Sequence, residues 1–291
     1  MIRRTFQLVP GVGPWREKDL WAHGLPDWDA LRAGGESVLG APLLDELCRA
    51  VDRAEAALDR GDIPALAALL PLREHWRLWP LVREQVLCLD VEADGATERL
   101  LPTVVGVLDP DGLHTFVAGR NLAALPGRLA AHPFWVTFNG TSFDLPVLRR
   151  TFPELPAPQL HLDLRGVTRR MGLGGGLKAI EDRLGIARPP HLRGTGGREA
   201  VSLWRAYRRS GEIDVLRALV EYNLYDALQL RAVGDHAFNA GANRLHWPDR
   251  VVPWERGAVL YDLSRLLLSL APTDADRRTV EQARALAELE G

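Results

Sequence analysis

The chain has 291 residues, of which 46% are hydrophobic and 25% charged, and a formal net charge of -2. These values are ordinary for a soluble globular protein, and the net charge favours no particular partner. Two cysteines, Cys48 and Cys88, do not suggest a disulfide framework. The apolar runs are too short to span a membrane, and the N-terminus lacks the apolar region of a signal peptide. We therefore expect a cytoplasmic protein without a membrane partner.

The predicted elements change character along the chain. Residues 1–82 are predicted to be mainly helical after a turn-rich start, and Ala41–Gly61 has apolar residues at helical spacing. Three helices are predicted after the last strand, the third over Glu212–His236, and a helical tail begins near Pro253. The predicted strands and hairpin lie at Val86–Asp94, Thr103–Gly119, Phe134–Gly140 and Gln159–Leu164. This order predicts an α/β fold with a mixed sheet.

Two acids stand one residue apart in the first predicted strand, "VLCLDVEAD". The side chains of Asp90 and Glu92 should point to the same face of the strand, about 6.5–7 Å apart. Two carboxylates on one face can hold a hard divalent cation between them. A solvent-facing edge strand with an alternating pattern is the alternative.

Two more acids fall near predicted junctions of strands and helices. Asp144 follows the strand Phe134–Gly140 in the first turn of a helix, where α/β folds place ligand sites, although an acid there could equally cap the helix. Asp226 and Tyr222 lie on an otherwise apolar helix face that should pack on the sheet. An Asp on such a face needs a partner, and a hydrogen-bonded core Asp is the alternative.

All four acids are predicted to point at one end of the central sheet. Carboxylates gathered in this way repel one another unless about two divalent cations neutralise them, and two such ions are the standard apparatus for phosphodiester hydrolysis. The set Asp90, Glu92, Asp144 and Asp226 therefore predicts a metal-dependent site.

The segments "LDVE", "FNGTSFD" and "YNLYD" resemble the three motifs of the DEDD superfamily of 3′–5′ exonucleases, in its tyrosine subgroup. The blocks "HLDL", "LK-x-x-E" and "LGI" within His161–Ile186 are similar to those of the exonuclease domain of YprB-like bacterial proteins. The similarity covers about residues 83–240. The matching residues are Leu89, Asp90 and Glu92 in the first motif, Asn139, Phe143 and Asp144 in the second, and Tyr222 and Asp226 in the third.

The resemblance implies an RNase H-like fold, with a mixed five-stranded sheet flanked by helices over residues 83–240. Residues 1–82 would form a helical N-terminal region and residues 241–291 a helical C-terminal extension. The resemblance also implies that the four acids bind two divalent cations, Mg²⁺ or Mn²⁺. Tyr222 would orient the attacking water or help to deprotonate it. Asn139 and Phe143 would form the surface that binds the terminal nucleotide, although Phe143 could equally belong to the core.

Charge is unevenly distributed along the chain. The segment Arg149–Arg209 has 13 Lys and Arg against 5 Asp and Glu, and could follow a phosphate backbone, with a solvated helical surface as the alternative. Within this segment, Arg169, Arg170 and Lys178 are the candidate phosphate contacts.

A glycine-rich turn near the N-terminus, "VPGVGPW", is a further candidate contact. Gly11 and Gly13 resemble a helix-hairpin-helix turn, whose backbone N–H groups meet a phosphate, or they form a plain turn that caps a helix. Taken together, the sequence predicts a two-metal 3′–5′ exonuclease acting on a 3′ end of single-stranded DNA or RNA. The alternatives are a structure-specific endonuclease and a catalytically silent nucleic-acid-binding module.

Overall fold

The structure, a computed structural model, describes residues 2–96, 100–193, 196–254 and 257–290. Contacts within the chain divide it into two units. The first comprises Met1–Glu84 and Phe238–Val251, and the second comprises Gln85–Ala237 and Val252–Gly291.

The first unit is mainly helical. Its helices α1–α5 span Pro14–Ala22, Trp28–Gly34, Ala41–Asp59, Ile63–Leu69 and Trp79–Val82. Trp28 and Trp79 are fully buried among them, and the buried guanidinium of Arg77 donates two hydrogen bonds of 2.8 Å to the carboxylate of Glu17. This unit therefore has a core and a buried ion pair of its own.

A five-stranded mixed sheet forms the centre of the second unit. Strands β1–β5 span Leu87–Ala93, Pro102–Asp109, Gly112–Val117, Phe134–Thr137 and Leu160–Asp163. Their order in the sheet is β3-β2-β1-β4-β5. β1 pairs antiparallel with β2 and parallel with β4, and β4 pairs parallel with β5. The predicted α/β fold is confirmed, and the edge-strand alternative for β1 is wrong because β1 is the central strand.

Helices account for most of the remaining chain. Helices α6–α13 span Leu125–Ala131, Asp144–Thr151, Leu164–Arg170, Leu177–Leu184, Gly197–Ser210, Ile213–Arg244, Gly257–Ser269 and Asp274–Glu290. The predicted helical additions before and after the sheet are thus confirmed. No helix in the described ranges combines the length and the apolar composition that crossing a bilayer requires.

The prediction for the helices after β5 was wrong in two respects. Four α-helices, not three, occupy the described residues from Leu164 to Arg244, because the short helix α8 follows β5 directly and ends before the glycine-rich segment 172–176. The last of them, α11, continues past the predicted end at His236 because Phe238 and Ala242 extend its buried face.

The central strand β1 separates two environments. Leu87, Leu89 and Val91 belong to a buried cluster that also contains apolar residues of β2, α6 and α7. Because side chains alternate along a strand, Asp90 and Glu92 point to the opposite face. The sheet therefore keeps its apolar core on one face of β1 while the two acids occupy the other.

Candidate metal-dependent active site

A cleft of about 680 Å³ lies in the second unit, at the C-terminal ends of the parallel strands β1 and β4. It contains the four predicted acids and the predicted tyrosine. These residues are Asp90, Glu92, Asp144, Tyr222 and Asp226. The structure thus brings together side chains that are far apart in the sequence.

Asp90 is held in place by α11. The side-chain amide of Asn223 donates to the backbone oxygen of Asp90 at 3.0 Å and to its Oδ2 at 2.8 Å. The helix can come this close because Gly106, which pairs with Asp90 in the β1–β2 ladder, has no side chain. A Cβ on Gly106 would lie 2.7 Å from Asn223 Oδ1. A glycine inside a strand therefore sets the distance between the helix and the acid.

Asp144 is the first residue of α7 and is buried. Its Oδ1 accepts a hydrogen bond of 2.9 Å from the backbone N–H of Val91, which lies between Asp90 and Glu92 in β1. The carboxylate of Asp144 therefore reaches the central strand and links α7 to it.

Tyr222 and Asp226 lie one turn apart on α11, and both are buried. Lys178 Nζ donates to Tyr222 Oη at 2.8 Å and lies 4.4 Å from the centre of the ring. Arg188 Nη2 donates to Asp226 Oδ1, and the same guanidinium forms a two-bond pair with Glu181. A cationic side chain thus contacts each of the two α11 residues.

Burial and mutual repulsion raise the pKa values in the cleft. Burial, followed by the charges of the other three acids, raises the pKa of Asp90. The pKa of Glu92 is raised to about 8 by burial and by the charges of Asp226 and Asp144. Burial raises the pKa of Asp144 to about 7 and is also the first cause of the raised pKa of Tyr222. The protein alone therefore leaves this cluster of carboxylates poorly neutralised.

The chemistry and spacing of the acids fit a divalent cation. Asp90, Glu92 and Asp226 each offer one carboxylate oxygen, and these oxygens lie within 4.8 Å of one another. Asp144 lines the same cleft outside this closest group. Carboxylate oxygens are the ligands that hard divalent cations prefer.

A second group with ligand-type side chains lies at the β2–β3 hairpin and comprises Asp109, Asp111 and His132. Arg128 donates to Asp109 at 2.6 Å and to Asp111 at 3.0 Å. Because a guanidinium already balances this group, the larger excess of carboxylates is in the cleft.

One wall of the cleft is a tight turn between β4 and α7. Asn139 adopts a φ of 70°, in the left-handed region, so the strand predicted to reach Gly140 ends at Thr137. Asp163, the last residue of β5, accepts the backbone N–H of Asn139 at 2.8 Å, and Arg165 Nη1 donates to Asn139 Oδ1 at 2.6 Å. A Cβ on Gly140 would lie 2.2 Å from Thr137 Oγ1, so the turn requires glycine there.

The predicted nucleotide and phosphate contacts have different placements. Asn139, Phe143 and Arg169 line the cleft. Phe143 also packs against the apolar cluster that contains Leu87, Leu89 and Val91, so its side chain contributes to both the core and the cleft. Arg170 and Lys178 are not among the described residues that line the cleft.

The two predicted glycine contacts lie in the first unit. Gly11 has a φ of 84°, a conformation that favours glycine, and Gly13 precedes α1 as its N-cap residue. The adjacent side chain of Trp15 is 76% exposed. This geometry accommodates a helix-capping turn, and the phosphate contact stays a prediction.

Sequence reasoning missed several residues that support the acids. Asp163, Glu181 and Asn223 stand inside the segments "HLDL", "LK-x-x-E" and "YNLYD", and those segments were a signal that could have found them. Arg188 had no such signal, because it stands in a loop of an arginine-rich segment and its role depends on contacts made by folding.

Comparison with known proteins agrees with the fold. A family model described as the RNase H superfamily matches residues 87–238, just over half of the chain. The match contains all five strands and the acids and tyrosine of the cleft. No curated protein and no solved structure matches the chain. Because the match covers more than half of the chain, the chain belongs to the RNase H superfamily, and its matched domain is that of a metal-dependent nuclease that acts on nucleic acid.

Proposed function

We propose that the chain is a 3′–5′ exonuclease of the tyrosine subgroup of the DEDD superfamily, with a YprB-like nuclease domain over residues 83–240. The observation that carries this proposal is the convergence of four carboxylates and one phenol on a single cleft. In the sequence, the helical region 1–82 would precede this domain and the helical region 241–291 would follow it.

Asp90, Glu92, Asp144 and Asp226 would be the ligands of two divalent cations, Mg²⁺ or Mn²⁺. When bound, such ions activate the attacking water and stabilise the leaving oxygen. The hydrogen bond from Asn223 to Asp90 supports this role, because it fixes a carboxylate before any ion binds. The backbone N–H of Val91 does the same for Asp144.

Tyr222 would position the attacking water rather than deprotonate it. The ammonium of Lys178 donates to the phenol oxygen at 2.8 Å, which engages one acceptor site of that oxygen. Burial, the charges of Asp226, Glu92 and Asp90, and a hydrogen bond with the carboxylate of Asp226 raise the pKa of Tyr222, so the phenol keeps its proton. This assignment needs no phenolate, which an ordinary tyrosine forms only near pH 10.

The substrate would be single-stranded nucleic acid with a free 3′ end. A terminal base must leave its stack before its phosphodiester can reach the acids, and this costs least in a single strand. Phe143 offers an aromatic surface in the cleft for that base, and Arg169 offers a charge for a phosphate. Arg170 and Lys178, from the basic segment Arg149–Arg209, would contact upstream phosphates of the strand. The Gly11–Gly13 turn would bind duplex and add affinity for a single strand that is flanked by duplex.

A digestion series tests the proposal. Linear single strands of DNA and of RNA carry a 5′ label and either a free or a blocked 3′ end, and circular single strands serve as a third substrate. With Mn²⁺, we expect a ladder that shortens from the free 3′ end, and resistance of the blocked and circular strands. Equal cutting of the circular strand would replace the exonuclease with an endonuclease.

A further inference from the structure

Three acids of the cleft have a partner that fixes the carboxylate, and the partner of Asp226 is the most elaborate. Asp90 is fixed by the amide of Asn223, and Asp144 by the backbone N–H of Val91. Asp226 is instead fixed by a charged side chain, the buried guanidinium of Arg188. Arg188 lies in the loop after α9, so this loop helps to fix the carboxylate of Asp226 on α11.

Glu181 balances the charge of Arg188, independently of the contact between Arg188 and Asp226. Its Nε donates to Glu181 Oε2 at 2.9 Å and its Nη2 to Glu181 Oε1 at 2.7 Å, which is a bidentate pair. Only 2% of Glu181 and 7% of Arg188 are exposed. A pair that is buried and bidentate has a defined geometry and little net charge, so it can orient a neighbouring carboxylate without replacing a cation there.

The contact with Asp226 leaves most of its ligand capacity free. Arg188 Nη2 bonds to Oδ1 of Asp226, whereas an ionised carboxylate has two oxygens with about four acceptor sites. The oxygens of Asp226 remain part of the group whose ligand atoms lie within 4.8 Å of one another, together with Asp90 and Glu92. The guanidinium and a cation can therefore share this carboxylate.

We propose that Glu181 and Arg188 are positioning residues for Asp226, which set the orientation of its carboxylate for divalent-cation binding. The proposal rests on the proposed function, because it takes Asp226 as a ligand. Without the pair, the Asp226 side chain would sample other rotamers on α11 and would have to be ordered each time an ion binds. Residues that orient a metal ligand typically change metal affinity 10- to 100-fold when altered.

The opposite role for Arg188 makes a different prediction. If Arg188 were a competitor that occupies the place of a cation, a shorter lysine at this position would leave the affinity for Mn²⁺ unchanged or increase it. If Arg188 is a positioning residue, Arg188→Lys keeps the charge but loses the bidentate fork, and the affinity for Mn²⁺ falls.

The experiment is a titration with Mn²⁺ alone, with the unbound ion measured by electron paramagnetic resonance. It compares the full-length wild-type chain with Arg188→Lys and Glu181→Gln. Arg120→Lys is the matched control, because Arg120 also pairs with an aspartate, Asp276, and does not line the cleft. We expect binding about 10- to 100-fold weaker in both test variants and unchanged in the control. Wild-type affinity, or tighter binding, in a folded Arg188→Lys would overturn the proposal.

Two further measurements separate the possible failures. If Arg188→Lys does not fold, as judged by near-UV circular dichroism, the isosteric Glu181→Gln decides, and wild-type affinity in that variant overturns the proposal. If the wild-type chain binds no Mn²⁺, or if Asp90→Asn leaves its binding unchanged, the proposed function itself fails. Cleavage measured across Mn²⁺ concentrations should show the same shift, with most of the lost rate of Arg188→Lys recovered at saturating ion.

Discussion

Asp90 is the residue at which most of the site's contacts meet. It stands on the central strand and accepts two hydrogen bonds from Asn223. One of its carboxylate oxygens lies within 4.8 Å of a carboxylate oxygen of Glu92 and of one of Asp226. Burial together with the charges of the neighbouring acids raises its pKa, so its charged form needs a cation nearby. A single change here should therefore act on metal binding with little effect on shape.

We expect Asp90→Asn to abolish cleavage and to leave nucleic-acid binding largely intact. The amide keeps the size of the side chain but removes a charge that binds a cation, and it also relieves repulsion among the acids. Cleavage of an end-labelled strand and binding of the same strand by fluorescence anisotropy measure the two effects. Asp45→Asn, at an exposed position of α3, is the control. Equal cleavage by wild type and Asp90→Asn at saturating Mn²⁺ would refute the role of Asp90.

Tyr222→Phe should reduce activity much less than Asp90→Asn does. It removes one hydroxyl that positions water, whereas loss of a general base commonly costs 10²- to 10⁴-fold. We expect the single-turnover rate of cleavage to fall by about 10-fold, which is less than the loss of a general base costs. Single-turnover rates with saturating enzyme give this comparison directly, and a loss as complete as that of Asp90→Asn would make Tyr222 indispensable to the chemistry.

At this scale the sequence was informative about the acids and silent about what holds them. Asp90, Glu92, Asp144 and Asp226 could be predicted because ionised side chains are conspicuous in apolar strands and on apolar helix faces. The contact between Arg188 and Asp226 joins residues 38 positions apart, and no local pattern encodes it.

At the scale of elements, the spacing between α11 and the sheet decides the geometry of the cleft. The spacing depends on Gly106 of β2, which lets Asn223 reach across to Asp90. The strand pattern predicted β2 correctly, but a glycine within a strand gives no indication of which helix will lie over it.

Gly106→Ala should therefore damage stability and activity together. The added methyl group would meet Asn223 Oδ1 at 2.7 Å and the backbone oxygen of Asn223 at 3.2 Å, so the Asn223 side chain must leave its place beside Asp90 or α11 must shift. We expect a loss of about 1–3 kcal/mol in the free energy of unfolding, as for other overpacked cores. Chemical denaturation measures this loss.

Gly127→Ala is the matched control for this change. Gly127 lies in α6, and a Cβ there would meet nothing within 4 Å. Alanine should leave stability unchanged or increase it by up to about 1 kcal/mol. If Gly106→Ala unfolded at the same denaturant concentration as Gly127→Ala, the close approach of α11 to β2 would not constrain the site.

At the scale of the whole molecule, the mixed sheet order places the ends of β1 and β4 side by side, and the cleft opens there. The alternation of strands and helices predicted this architecture. The helix count after β5 could not be predicted in the same way, because α8 has only 7 residues and begins directly after the strand, so its sequence shows no helical period. The division of the chain into regions 1–82, 83–240 and 241–291 stays a prediction.

The basic residues beside the cleft lead to a prediction about salt. Binding of a single strand should weaken steeply as salt rises, because each phosphate contact releases counterions. Arg169→Gln should reduce the slope of log K against log salt by about 0.7, the value expected for one contact to a single strand. Arg150→Gln, at an exposed position of α7 away from the cleft lining, should leave the slope unchanged. An unchanged slope in Arg169→Gln would remove Arg169 from the path of the strand.

The position of bound metal tests the proposed role of the four acids most directly. Crystals soaked in Mn²⁺ would be measured near the manganese absorption edge, and anomalous difference density would locate each ion. We expect two peaks in the cleft, each within about 2.0–2.6 Å of carboxylate oxygens of Asp90, Glu92, Asp144 or Asp226. Crystals of Asp90→Asn should lose at least one of them. Peaks at the hairpin acids Asp109 and Asp111 with none in the cleft, at saturating Mn²⁺, would show that the four acids are not the metal ligands.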